Sequence, residues 1–204
     1  MAVRGSDIVT AIVQKMRPSH EELKSLWLYS YSRASLFEAD QWIDAMDQTV
    51  PQTPQFRALV CAAVVAYARP FTISQVTPKE RVVPLKGVPP PAQLSFTHEM
   101  ALKLRDKVMG HKDATPAKGD STTPNVMIIR RDPTGFDLHT VIIEGMEAAT
   151  RREMKGLCAH FVAHCESQVR PIIAQYGPEI MRRPIGAYEL LVTEPPNDWI
   201  RPLR

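Results

Sequence analysis

The sequence predicts a mainly α-helical fold with one β-hairpin placed before the last long helix. Three observations lead to this prediction: apolar residues recur at helical spacing over most of the chain, Pro residues stand mostly between these stretches, and a turn sequence separates one pair of strand-like runs. The chain has 204 residues, 44% of them hydrophobic. We therefore expect a single helical domain over 1–204, with its core at about 19–176 and a C-terminal tail at 183–204.

Composition narrows the class of protein. A formal charge of +3 is a weak basic bias, which argues against a dedicated duplex-binding protein. The odd number of Cys residues, each in an apolar context, predicts reduced and buried thiols (Cys61, Cys158, Cys165). Neither a signal peptide nor a run of roughly 20 apolar residues is visible. We expect a cytoplasmic protein that does not enter membranes.

Capping signals and apolar periodicity predict the helices of the first half. A short helix is expected over 6–16, and the pair Ser19 and Glu22 forms a capping box that opens a long helix to about Asp47. The most apolar stretch, 54–68, is the predicted central core helix. Phe37 is placed on the apolar stripe of the long helix, and Trp27, Trp42 and Tyr67 are expected in the core rather than as base-stacking platforms.

The second half begins with a long Pro-rich connection over 77–91, for which a stiff surface loop is favoured over a partner-docking segment. The remaining predicted elements follow in chain order: a helix from Ser95 or Thr97 that ends at Gly110, a hairpin of strands 126–131 and 136–143, a helix over 146–170 kinked by Pro171 and ended by Gly177-Pro178, and a short strand within 187–192.

One corner of this plan carries residues suited to chemistry. Arg105 lies near the end of the predicted helix that stops at Gly110, and His111 directly follows Gly110 in the sequence. A His can move a proton near neutral pH, and an Arg can hold a phosphate and stabilise its added charge in a transition state. These are the groups that metal-independent RNA cleavage needs, so no metal and no cofactor are expected.

The string Arg105-Asp106, four residues, His111 resembles the signature of HEPN domains, an all-helical superfamily. Their motif is an Arg, four to six residues, and a His, often with a polar residue directly after the Arg. The stretches from His98 to Asp113 and from Ala66 to Thr72 also look like uncharacterised bacterial proteins of this kind. Gly110 stands where the family usually has Ala.

The resemblance implies a HEPN-like helical bundle that dimerises, so that two Arg/His pairs share one cleft. It also implies RNase activity that leaves a 2′,3′-cyclic phosphate, often in toxin–antitoxin or phage-defence systems, with an antitoxin or another protein as a possible partner. By resemblance His111 moves the proton, Arg105 holds the phosphate and Asp106 orients one of them. The possible binding residues beside this catalytic set are His98, Arg69 and Asp113.

Two other interpretations stay open. An Arg and a His at a helix end also complement the helix dipole, so the chain could be a non-catalytic helical interaction or RNA-binding module. His160 and His164 stand four residues apart, a spacing that also suits metal ligands. Because Cys158 and Cys165 continue an apolar stripe on the same helix, core packing is favoured over a metal site there.

Overall fold

Helices dominate the structure, as the sequence predicts. A computed structural model of the protein describes residues 18–77, 80–109, 127–133, 135–140, 146–192 and 199–203. The α-helices within these ranges are α1 (His20–Asp47), α2 (Pro54–Ala68), α3 (Ser95–Met109) and α4 (Ala148–Met181), with 3₁₀ turns at Arg69–Phe71 and Ala92–Leu94. The helix predicted over 6–16 lies outside the described residues.

Short strands pair in three antiparallel ladders within the described ranges. These are β1 (Ser74–Thr77) with β2 (Glu80–Val82), β3 (Met127–Asp132) with β4 (Gly135–Thr140), and β5 (Tyr188–Leu190) with β6 (Ile200–Pro202). The hairpin predicted before the last helix is confirmed, with Asp132 opposite Gly135. The predicted tail strand is also confirmed as β5. The prediction of an irregular connection from residue 77 is wrong at its start, where β2 pairs with β1.

Contacts group the chain into two compact units. Unit 1 comprises Met1–Ala34, Pro70–Gly87 and Val162–Arg204, and unit 2 comprises Ser35–Arg69 and Val88–Phe161. Helices α1 and α4 therefore contribute residues to both units. The prediction of one helical domain stays a prediction.

Unit 1 is built around the start of α1. Ser19 and Glu22 form the predicted capping box, in which the Ser19 backbone N–H donates to Glu22 over 2.7 Å and the Glu22 N–H donates to the Ser19 hydroxyl. Two apolar clusters follow along the helix. One gathers Leu23, Tyr176, Trp199 and Ile200, and the other gathers Leu28, Val76 and Val192.

Unit 2 contains α2, which is the core helix that the sequence predicts. Thr53 caps it by accepting from the Phe56 N–H, and Pro54 occupies a first-turn position that needs no N–H. Its buried residues share one apolar band: Phe56, Val60, Ala63, Val64, Ala66, Tyr67 and Ala68. The buried α4 residues of this unit are Met154, Leu157, Cys158 and Phe161.

Ion pairs in unit 2 join the end of α1 to the start of α4. Arg151 contacts Asp47 over 2.7 Å, and Lys155 contacts Asp44 over 2.5 Å and Asp40 over 3.8 Å. The three carboxylates recur at intervals of four and three residues, so they share one face of α1. Hydrogen bonding to Asp44 is the main cause that raises the Lys155 pKa.

The Pro-rich segment of unit 2 packs on α4. A Cβ on Gly156 would lie 3.3 Å from the Leu94 side chain, so the missing side chain permits this close approach. Beside it, His160 Nε2 lies 3.1 Å from the Pro89 carbonyl oxygen, and the buried Thr97 hydroxyl donates to Glu153. Pro89, Leu94 and Thr97 are thus engaged within the unit. The stiff surface loop expected over 77–91 stays a prediction.

Two expectations about side chains and helix ends are wrong. Phe37 and Trp42 are 41% and 37% exposed, because the imperfect period of α1 turns them away from the buried stripe of Leu36, Ala39 and Ile43. The last helix also continues through Pro171 and Pro178 to Met181. Tyr67 is fully buried, as predicted. Among the described helices, none is long and apolar enough to cross a membrane.

Replacing Pro171 tests how α4 tolerates an internal proline. Pro171 is exposed in the middle of the helix, where it lacks an N–H for the preceding turn. We expect Pro171→Ala to raise the free energy of unfolding by up to about 3 kcal/mol, measured by urea denaturation. Pro54→Ala is the matched control and should give no gain, since Pro suits the first turn of α2. Equal or lower stability of Pro171→Ala would contradict this account.

Candidate functional site

Arg105 lies in the last two turns of α3, within unit 2, with its side chain 38% exposed. Its Nη1 is 2.7 Å from Oδ1 of Asp106, and the Asp106 side chain is 70% exposed. The guanidinium is therefore neither sealed in the core nor held by a buried carboxylate. A phosphate could replace or join Asp106 at this cation, because an exposed ion pair is weak and exchanges readily with solvent ions.

The rest of the predicted corner follows directly after α3. The described part of α3 runs to Met109, and His111 comes two residues later in the sequence. His111 and Asp113 lie outside the described residues. Their approach to Arg105 stays a prediction.

His98, on the same helix, is held by Tyr67 of α2. The Tyr67 hydroxyl lies 2.7 Å from His98 Nδ1, and the two rings meet edge to face. Phe161 of α4 completes the group, with its ring centroid 5.6 Å from that of His98 and 6.5 Å from that of Tyr67. Side chains from three helices of unit 2 thus meet here, and aromatic rings surround the hydrogen bond between Tyr67 and His98.

Burial sets the proton arrangement of this pair. It raises the pKa of Tyr67 well above its usual range, with the nearby Cys158 as a smaller cause, and it lowers the pKa of His98 against the opposing charge of Glu99. At neutral pH the phenol is protonated and the imidazole is neutral. The phenol and Nδ1 then share one hydrogen bond, whose donor depends on the imidazole tautomer.

The position of His98 along α3 makes this contact relevant to Arg105. His98 precedes Arg105 by seven residues, which is about 10 Å along the helix axis, and its imidazole is hydrogen-bonded to Tyr67 of the core helix α2. The hydrogen bond fixes α3 against α2 and so determines where Arg105 stands. The proposal that His98 itself binds a ligand stays a prediction.

Arg69 follows α2 in the 3₁₀ turn and forms an ion pair with Glu38 of α1. Both side chains are about two-fifths exposed, at 39% and 40%. Arg69 stands two residues after Tyr67. Both residues therefore lie at the C-terminal end of α2, where Tyr67 contacts His98. Sequence reasoning did not find Tyr67 or Glu38 as partners, although a Tyr on a core helix needs a partner for its hydroxyl.

Both histidines of the alternative metal site, His160 and His164, contact other residues. His160 Nε2 contacts the Pro89 carbonyl, and His164 packs edge to face on Tyr29 of unit 1. Burial raises the pKa of Cys158 to about 12 and that of Cys165 to about 11, so both thiols stay protonated at neutral pH. In the described part of the chain, no group of three or more His, Cys, Asp or Glu residues could hold a metal ion.

The thiols confirm part of the sequence reasoning. All three cysteines are free, and Cys158 and Cys165 are buried on α4 as predicted, whereas Cys61 is only partly buried.

Comparison with known proteins adds no relative. No protein-family model matches the sequence, no curated protein matches it, and no solved structure matches the fold.

The depressed pKa of His98 predicts a pH-dependent stability. The unfolded chain takes up this proton near pH 6.5, before the folded chain does, so the free energy of unfolding should fall as the pH drops below about 6.5. His98→Asn keeps an acceptor for Tyr67 but removes the titration. We expect its stability to decline less between pH 7 and pH 5, by at most about 1.4 kcal/mol per pH unit.

The matched control for this variant is Lys103→Ala, which changes an exposed side chain of the same helix. Urea denaturation at several pH values measures all three proteins. Identical pH dependence in His98→Asn and wild type would show that His98 is not held neutral by its surroundings.

Proposed function

We propose that this chain is a metal-independent RNA endonuclease of the HEPN type. The observation that carries the proposal is the exposed Arg105 in the last two turns of α3, paired locally with Asp106 and followed in the sequence by His111. The sequence thus combines a permanent cation with a side chain that can titrate near neutral pH six residues later. The motif supports the family, and the mainly helical fold agrees with it.

The proposed reaction needs only these side chains. His111 accepts the proton of an RNA 2′-hydroxyl, and the 2′-oxygen attacks the adjacent phosphorus. The bond from phosphorus to the 5′-oxygen breaks, that oxygen takes up a proton, and a 2′,3′-cyclic phosphate remains. Arg105 stabilises the extra negative charge on the phosphoryl oxygens, and Asp106 orients the guanidinium.

A homodimer completes the proposed site. One Arg/His pair provides one group that changes its protonation, whereas cleavage needs a proton accepted at one oxygen and a proton delivered at another. Two copies that share a cleft supply both. The family resemblance further suggests a toxin or phage-defence setting, in which an antitoxin or another protein partner restrains the activity.

Cleavage of mixed single-stranded RNA in the presence of a chelator tests this function. We expect fragments ending in a 2′,3′-cyclic phosphate, and we expect His111→Ala and Arg105→Ala each to lower the rate by about 100-fold or more. Lys103→Ala is the matched control, since it removes an exposed cation two residues from Arg105. Cleavage that survives both site variants, or that chelator abolishes, would contradict the proposal.

Asp106 gives a second test because its two proposed effects have opposite signs. Asp106→Asn removes the carboxylate that competes with phosphate for Arg105, so a non-cleavable 2′-O-methyl RNA should bind about two- to fivefold more tightly. Cleavage should slow, because the guanidinium loses its orienting partner. Asp44→Asn changes the net charge equally at the ion pair with Lys155 and should do neither.

A non-catalytic helical interaction or RNA-binding module is the second candidate. The contact of Arg105 with Asp106 favours it, because this pair also satisfies the cation within α3 and at the negative end of the helix dipole. In that case the wild-type protein cleaves no RNA, and Arg105→Ala changes only stability or binding. The chelator assay therefore separates the two candidates.

A further inference from the structure

Trp42 lies on α1, in unit 2, with 37% of its surface exposed. Single exposed apolar side chains are common on protein surfaces, so exposure alone assigns no role to this residue. The charged groups around the indole distinguish it from such a side chain. Its N–H donates to a carboxylate that also binds an arginine, which brings a flat ring and a cation together at one place on the surface.

Glu38 joins the ring and the cation. Its Oε1 accepts from the Trp42 indole N–H over 3.4 Å, and its Oε2 accepts from Nη1 of Arg69. Because one carboxylate holds both donors, the indole nitrogen and the guanidinium lie within about 9 Å of each other. Trp42 follows Glu38 by four residues, so the two side chains lie on one face of α1. We call Glu38, Trp42 and Arg69 the Trp42 patch.

All three side chains of the Trp42 patch are open to solvent. Those of Glu38 and Arg69 are 40% and 39% exposed, close to the value for Trp42. The hydrogen bond to Glu38 uses the edge of the indole and not the faces of the ring. An ion pair as exposed as that of Arg69 is weak, so the guanidinium can admit a second anion.

We propose that the Trp42 patch binds a nucleotide of single-stranded RNA, with the base stacked on the indole and a neighbouring phosphate at Arg69. Stacking on an aromatic ring and attraction of phosphates to cations are the two contacts by which proteins hold single strands without reading their sequence. The choice of RNA rests on the proposed function, and the Trp42 patch adds a substrate contact to it.

The end of α2 connects the Trp42 patch to the candidate site. Arg69 follows Tyr67 by two residues, and Tyr67 contacts His98 of α3 over 2.7 Å. Arg105 lies seven residues further along α3, so these links keep the Cα atoms of Arg69 and Arg105 within about 30 Å of each other. A single strand of about ten nucleotides is long enough to reach both.

Charge complementarity favours RNA over a protein partner. A protein that covered the Trp42 patch would remove Glu38 and Arg69 from water, and each charge would lose its hydration. A single strand leaves part of the ion pair in water and brings a phosphate to Arg69. Glu38 opposes that phosphate, which gives its replacement a definite sign in the test.

Binding of a 2′-O-methyl oligoadenylate of about ten nucleotides tests the proposal, because the full chain cannot cleave this probe. We expect the probe to quench the tryptophan fluorescence of the wild type. Trp42→Ala should weaken binding about tenfold and remove most of the quenching. Trp42→Phe keeps an aromatic ring, so it should keep most of the affinity and still lose the quenching. Arg69→Ala should weaken binding and lower the salt dependence by about one phosphate contact, measured by fluorescence anisotropy of the labelled probe.

Glu38→Gln separates binding from a purely structural role. It keeps an acceptor for the indole and for Arg69 but removes the charge that opposes a phosphate, so the affinity should rise about two- to fivefold. A Glu38 that only held the two side chains in place would give an unchanged or lower affinity. Lys155→Ala and Asp44→Asn are the matched controls, since Lys155 is 38% exposed and also paired with a carboxylate. Each should change the affinity by less than about twofold.

Wild-type affinity in both Trp42→Ala and Arg69→Ala would overturn the inference, as would a wild-type protein that does not bind the probe. If Trp42→Ala bound the probe like the wild type but converted a dimer into a monomer in light scattering, the Trp42 patch would belong to a protein interface. Circular dichroism and thermal unfolding check that each variant keeps its fold. The proposed function can fail separately, because binding that depends on Trp42 in a protein that cleaves no RNA would still support this inference.

Discussion

The hydrogen bond between Tyr67 and His98 is the contact on which the candidate site depends. It lies among aromatic rings from α2, α3 and α4, where an unpaired hydroxyl or imidazole would cost about 1–3 kcal/mol. The pair is therefore strongly favoured over any arrangement that separates α3 from α2. Since Arg105 stands two turns along α3, this contact also fixes the place of the exposed cation.

The charged contacts of unit 2 act differently. The pair of Asp47 with Arg151 is partly buried, since the Arg151 side chain is only 16% exposed, and it sets the register of α1 against α4. The pair of Asp44 with Lys155 lies at the surface and contributes little to stability. Arg105 and Asp106 form the same kind of pair, but at a helix end and within one element. A pair formed within one helix can exchange its carboxylate for a ligand without separating two helices. The proposed function therefore places the chemistry at Arg105.

Much of the fold follows from local sequence signals. The capping box at Ser19, the Thr53 cap, the apolar band of α2 and the turn between β3 and β4 each combine a periodic pattern with a boundary residue. Pro171 and Pro178 misled the prediction, because packing of α4 residues such as Cys165, Val169 and Tyr176 outweighs the local cost of a proline.

The candidate site could be predicted only in part. Arg105, Asp106 and the end of α3 follow from spacing within one helix, which a sequence displays directly. The partnership of Tyr67 with His98 joins residues 31 positions apart, and that of Arg69 with Glu38 does the same. Such contacts depend on how helices pack, so no local pattern could have revealed them.

The most direct test of the central claim asks whether Arg105 and His111 act in one site. The measurement is kcat/KM for RNA cleavage by the wild type, by Arg105→Ala, by His111→Ala and by the double variant. The effects of groups that act as a unit are not additive. The kcat/KM of the double variant should therefore be about the same as that of the less active single variant. Losses that multiply, or a wild-type protein without cleavage, would contradict the claim.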